Sequence, residues 1–237
     1  MTTIQLLDFV EGARQATGLT VIIDVFRAFS TACYLFDQGA KTVIPVGRRE
    51  TARALQQQHP NVILIGERGG QKIPGFSYGN SPAEIDGVTF EGKTVVHTTT
   101  NGTQGLINAQ AAAEVITGSF VNAGAVVAYI KAKQPDVVSL VAMGSGSGWP
   151  AEEDTACAHY LKACLTNGHA PDFAAIKDDL RTSHTGLKFF DPGVTWANER
   201  DFDLCLTLDK FNFVLQTQPY QNGLLSLRKI EVEHGNE

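Results

Sequence analysis

Leu19-Thr20-Val21-Ile22-Ile23-Asp24-Val25-Phe26-Arg27-Ala28-Phe29-Ser30-Thr31 reads as a buried strand that ends on a carboxylate and runs directly into a helix. Residues 19–25 are apolar apart from Thr20 and Asp24, the pattern of a strand covered on both faces. Asp24 then stands at the strand's end and Arg27 in the first turn of the helix that follows. Working outward, apolar runs recur at 42–46, 62–65, 94–97, 114–116 and 137–142. Helical periodicity fills 28–38, 48–58, 102–110, 121–132 and 151–165. Strand alternating with helix predicts an α/β fold, a three-layer α/β/α arrangement on a mixed, mainly parallel sheet. The mixture comes from 211–216 and 224–232, whose alternation suits edge or antiparallel strands. No repeat or linker interrupts residues 1–237, so a single domain is expected.

With 43% hydrophobic and 19% charged residues the chain can bury a full core. A net charge of −6 argues against nucleic acid as a partner, because gripping a polyphosphate takes clustered Lys and Arg. A small anionic ligand needs only a local set of Arg, backbone N–H groups and metal. The four cysteines show no CxxC spacing, and Cys157 and Cys164, seven apart, read as helix core. Residues 1–9 lack a basic segment followed by an apolar one, and no stretch approaches the ~18 apolar residues of a membrane span. A cytoplasmic protein without a membrane partner is expected. A homodimer is expected only on the general prevalence of two-fold assemblies.

In an open parallel sheet, ligands bind beyond the carboxyl ends of the strands. Asp24 with Arg27 places a metal-binding carboxylate beside a guanidinium suited to an oxyanion; the alternative is an Asp cap and a surface Arg. The next polar strand end opens a connection, residues 66–82, with five glycines and two prolines. It carries Glu67, available to Mg²⁺, Arg68, and the pair Asn80-Ser81, which reads equally as a helix cap before Pro82. After 94–97 come Thr98-Thr99-Thr100-Asn101-Gly102-Thr103 and a helix, a hydroxyl-rich cradle for phosphate or sulfonate or else a plain cap. Ser119 and Asn122 stand similarly at a helix start. Glu152, Glu153 and Asp154 open another helix, where the macrodipole favours carboxylates in any protein and where a hard cation finds oxygen ligands. The glycines at 144, 146 and 148 do not fit GxGxxG, and no GxxxxGK[ST] or HExxH occurs. His97, His159, His169 and His184 are scattered, while His59 and His234 read as surface residues. These signals coincide on one predicted rim, which favours metal-assisted chemistry on an anion.

Taken in order, Ile22-Ile23-Asp24-Val25-Phe26-Arg27-Ala28, Gly66-Glu67-Arg68-Gly69-Gly70, Tyr78-Gly79-Asn80-Ser81-Pro82, Thr99-Thr100-Asn101-Gly102-Thr103, Gly118-Ser119-Phe120-Val121-Asn122 and Ala151-Glu152-Glu153-Asp154-Thr155 resemble the successive motifs of the 2-phosphosulfolactate phosphatase family of coenzyme M biosynthesis. The resemblance runs to about Asp209. It implies Mg²⁺-dependent hydrolysis of 2-phospho-3-sulfolactate to 3-sulfolactate and phosphate on an α/β fold.

Phosphomonoester hydrolysis needs charge neutralisation, an in-line nucleophile and a stabilised leaving group. Asp24, Glu67 and one or more of Glu152, Glu153 and Asp154 are expected to hold Mg²⁺, directly or through water. Arg27 and Arg68 would grip the anionic groups of the substrate, and the Thr98 to Thr103 turn, Ser119 and Asn122 would orient it. Activated water is the preferred nucleophile. The alternative is Asp24 forming an aspartyl-phosphate, although Phe26 replaces the second Asp of the haloacid-dehalogenase DxDx[TV] motif. Three other readings stay open: a phosphatase of another phosphorylated 2-hydroxy acid, a decarboxylase or lyase on a sulfonated acid, and an anion-binding protein without turnover.

Overall fold

Residues 2–146 and 148–232 are described by the structure, a computed structural model; Ser147 and the expected surface histidine His234 lie outside the described residues. The chain runs β1 (Thr3–Asp8), α1 (Phe9–Gln15), β2 (Leu19–Ile23), α2 (Ala28–Asp37), β3 (Thr42–Pro45), α3 (Arg49–Gln58), β4 (Ile63–Arg68) and β5 (Gln71–Lys72). It continues through α4 (Pro82–Ile85), β6 (Thr94–Thr98), α5 (Gly102–Asn108), β7 (Glu114–Gly118), α6 (Ala123–Lys133) and β8 (Val137–Ala142). Four helices, α7 (Glu152–Thr166), α8 (Phe173–Thr182), α9 (His184–Leu187) and α10 (Glu199–Cys205), precede the hairpin of β9 (Phe213–Pro219) and β10 (Leu225–Glu231).

Among the described residues ten strands form one sheet, in the order β1-β8-β2-β7-β9-β10-β3-β6-β4-β5. The apolar run of β2 is buried throughout. Ile22 faces a core shared with α1, α2 and α5, while Val21 and Ile23 face a second one under α6 and α7. In β3 and β6 the alternation repeats: Val43 and Val95 join the first core, and Ile44 and Val96 pack beneath α3. Helices therefore cover both faces, the three-layer α/β/α arrangement that continuous Val/Ile runs require. Cys157 and Cys164 pack together on α7 in the second core.

Two blocks of parallel strands make up this sheet. One holds β1, β8, β2 and β7, the other β3, β6 and β4. Between them stands the β9–β10 hairpin, antiparallel to β7 on one side and to β3 on the other. Three antiparallel junctions reverse the direction an odd number of times, so the two blocks point in opposite senses. The hairpin is antiparallel, one of the two arrangements its alternation suits, and it makes the sheet mixed; these strands lie at the centre and not at an edge. A flat sheet would leave the carboxyl ends of the two blocks at opposite margins. Instead Asn101, beyond β6, donates from Nδ2 to the Gly144 carbonyl beyond β8 at 2.7 Å. Each hairpin junction has one pair in register, Ile116 with Gln216 and Leu227 with Val43, and the twist that accumulates over successive strands brings those ends together. Among the described residues no helix is long and apolar enough to cross a membrane.

Candidate active site

Asp24 leaves β2 with its carboxylate pointing back at the next helix, where Oδ1 accepts the Ala28 N–H at 3.1 Å. Gly102 N–H is also directed at it, and a Cβ at Gly102 would stand 2.7 Å from Asp24 Oδ2, so only glycine allows this approach. In the first turn of α7, Asp154 joins two strand ends. Its Oδ1 accepts the Val25 N–H at 2.8 Å and its Oδ2 the Gly144 N–H at 3.0 Å. Glu153 accepts from the Thr185 hydroxyl, which lies within reach of Glu152 as well. Glu67, at the end of β4, accepts Thr100 N–H at 2.6 Å, Thr100 Oγ1–H at 3.0 Å and Gly70 N–H at 2.7 Å.

These four carboxylates border one cleft of about 190 Å³. Facing them are Arg27 and Lys188, the amides of Asn80 and Asn101, and the Trp196 ring. A larger groove of about 730 Å³ lies against Pro45, Gln104 and Gln216, and no comparable gathering of carboxylates borders it. Arg27 is buried and fixed. Nη1 donates to Asp201 Oδ2 at 2.8 Å and to the Trp196 carbonyl at 3.2 Å, and Nη2 donates to the Gly70 carbonyl at 2.9 Å. Gly70 has φ +84°, and a Cβ there would meet the Trp196 ring at 2.3 Å, so two separate constraints demand glycine. On the cleft floor, Asn80 Oδ1 pairs with His97 Nε2 at 3.1 Å. Burial lowers the His97 pKa to about 4, so the ring is neutral at pH 7.

Burial dominates the electrostatics of the acidic groups. It raises Asp24 to about 6, with the neighbouring Glu67 and Glu153 adding to the rise. Asp154 is pushed well above the carboxylate range, first by burial and then by Glu153 and Asp24. Glu153 is raised by burial while Lys188 pulls the other way. Desolvated like charges of this kind are relieved by a cation. Among the described residues no three His, Cys, Asp or Glu side chains form a group that could hold a metal directly. The hard oxygen donors fit Mg²⁺ in its usual manner, one or two carboxylates with water completing the shell.

The cleft thus gathers Asp24, Arg27, Glu67, Asn80, Thr100, Asn101, Glu153 and Asp154 from the residues expected on the rim, with Gly102 packed behind Asp24. The others have different work. Arg68 turns away, donating to the Glu67 carbonyl at 2.6 Å, the Gly47 carbonyl at 3.0 Å and Thr98 Oγ1 at 2.8 Å. Thr99 and Thr103 exchange side-chain and backbone hydrogen bonds with each other. Ser119 and Asn122 form a capping box, and Asn122 Nδ2 reaches the Phe213 carbonyl. Ser81 caps α4 and donates to Asp201 at 2.8 Å. Glu152 is exposed and does not border the cleft. Sequence reasoning missed Thr185, Lys188, Trp196 and Asp201. Asp201 had one local signal: Asn198 caps α10 by accepting the Arg200 N–H at 3.0 Å, so a helix start was legible there.

The sequence profile described as 2-phosphosulpholactate phosphatase matches residues 7–219. A protein of Caldicellulosiruptor saccharolyticus named "Probable 2-phosphosulfolactate phosphatase" is 42% identical over 72% of this chain and 71% of its own length. Proteins of the same name from Thermotoga maritima and Thermoplasma acidophilum are 34% and 33% identical, over 82% and 83% of this chain and 86% and 84% of theirs.

Proposed function

The chain belongs to the 2-phosphosulpholactate phosphatase family, and on that premise we propose that it is a phosphoric monoester hydrolase that cleaves 2-phosphosulfolactate to sulfolactate and phosphate with the help of Mg²⁺. The observation that carries this reading is the convergence of Asp24, Glu67, Glu153 and Asp154 with the buried Arg27 on one small cleft. One or two of Asp24, Glu67 and Asp154 would hold the cation, with water completing its shell, since their side chains are fixed on the cleft by backbone N–H donors. When bound, Mg²⁺ supplies neutralisation of the charge on the phosphoryl oxygens.

Glu153 is the group placed to take a proton from the attacking water. Its Oε2 is engaged by Thr185, among the described residues its other oxygen has no side-chain partner, and burial has raised its proton affinity. Asp24 is a poor nucleophile by comparison, because the Ala28 and Gly102 amides already draw on its lone pairs. Arg27, held on three acceptors, orients the anionic substrate, and neutral His97 donating from Nε2 to Asn80 Oδ1 leaves the Asn80 amide N–H₂ for the cleft.

The test is phosphate release from 2-phosphosulfolactate and from a panel of other phosphorylated 2-hydroxy acids, with Mg²⁺ and with EDTA. EDTA-sensitive release that favours the sulfonated ester supports the proposal. Release only from the other acids removes the substrate assignment, and release from none removes the phosphatase.

A further inference from the structure

Two cations border the cleft, and they are not equally committed. Arg27 is tied to Asp201, Trp196 and Gly70. Lys188, just after α9, makes no side-chain hydrogen bond or ion pair among the described residues; Glu153 feels its charge without closing on it. Its Nζ lies 5.5 Å from the centroid of the Phe26 ring and 5.1 Å from that of Phe189. Phe26 itself borders the cleft, between Asp24 and Arg27. An ammonium set against ring faces is attracted by them but gives up part of its hydration, so an anion that reaches it meets a cation with little water left to displace.

The substrate of the reading above carries three anionic groups, and the planar carboxylate suits the guanidinium of Arg27, which leaves the sulfonate in need of such a partner. A transferred phosphoryl group belongs beside the carboxylates that would hold the cation. A sulfonate is ionised at every physiological pH, spreads one charge over three oxygens and has no call on a divalent ion. Arg68, the other guanidinium expected on the rim, faces Gly47 and Thr98 instead.

We propose that Lys188, standing over Phe26, receives the sulfonate and is the residue that selects esters carrying a second strong-acid group over simple phosphoesters. This assignment rests on the phosphatase reading. The experiment compares kcat/KM of the wild type, Lys188→Met and Lys188→Arg on 2-phosphosulfolactate and on 2-phospholactate, the same ester without the sulfonate. Removing one charged hydrogen bond predicts a loss of about ten- to a hundredfold on the sulfonated ester, mainly through KM. On 2-phospholactate the loss stays under about threefold, and Lys188→Arg recovers most of the discrimination. Equal losses on both esters overturn the assignment by placing Lys188 at the phosphoryl or carboxylate group that the two share, and no loss on either overturns it by making Lys188 a bystander. Lys188→Gln repeats the comparison if the Met variant does not fold. Wild type that releases phosphate from neither ester fails at the earlier step, which separates the failure of the phosphatase reading from the failure of this one.

Discussion

The two walls of the cleft differ in how they are built. On the acidic wall, Asp24, Glu67, Glu153 and Asp154 sit at strand ends or in a first helical turn, and neighbouring backbone N–H groups aim most of them. The opposite wall depends on distant segments. Arg27 is held by Asp201, 174 residues away, while Lys188 and Trp196 come from the stretch between α9 and α10. Strand ends and helix starts present the carboxylates, which N–H groups of other segments gather against their mutual repulsion, and the cations that face them come from stretches outside the sheet or are held by such stretches. The acidic wall therefore stands at a cost to stability, whereas the Arg27–Asp201 pair holds distant segments together.

The largest expected effect breaks the acidic wall. Glu153→Gln keeps an acceptor for Thr185 and removes the charge, and kcat for phosphate release falls by about a hundredfold or more. The same variant is more stable than the wild type when both are metal-free, and the sign follows from the titration. Because the folded protein raises the pKa of Glu153, the stability linked to its proton is complete below the unfolded value and is lost as pH rises through the folded one. Unfolding midpoints of the two proteins then converge near pH 4 and separate in favour of Glu153→Gln at pH 7. For Asp24, raised to about 6, the corresponding loss in the wild type spans roughly pH 4 to 6. A constant difference across that range would mean that the wall carries no charge strain.

Next comes the distant wall. Asp201→Ala leaves a buried guanidinium without its partner and deprives Ser81 Oγ and the Ala83 N–H of an acceptor. A loss of about 3–5 kcal/mol in denaturant unfolding is expected. A loss below about 1 kcal/mol would show that Arg27 can find other acceptors in the folded state. The smallest effect separates the two arginines. Arg68→Met lowers kcat/KM by about twofold at most, since its guanidinium serves the Gly47 and Thr98 side of β4. A hundredfold loss would return Arg68 to the site.

Legibility follows the same division. The strands covered on both faces, β2 and β8 above all, were plain in the sequence because burial makes them continuous apolar runs. β1 escaped notice because it is a half-exposed edge strand. α8 and α10 were missed although Asp172 and Asn198 cap them. For the β9–β10 hairpin the alternation left edge and antiparallel placements open, because it reports which residues are covered, not where a strand lies in the sheet. The site was expected on one rim of a parallel sheet; the structure assembles it from strand blocks of opposite direction, and the residues meet for a different reason.

From the sequence alone came the α/β alternation, the family resemblance and the acidic candidates of the cleft, because each carboxylate lies at a strand end or opens a helix, while the contacts that gather them, such as Val25 N–H on Asp154 and Thr100 N–H on Glu67, join separate segments. Tertiary structure decided that Arg27 faces the cleft while Arg68 does not, that Ser119 and Asn122 are spent on a capping box and Thr99 and Thr103 on each other, and that Lys188 and Trp196 close the other side. Those outcomes depend on the twist through a central hairpin and on partners more than a hundred residues away, such as Asp201 for Arg27. Periodicity and local spacing carry no record of such contacts, because each follows from where two segments meet after the sheet has formed.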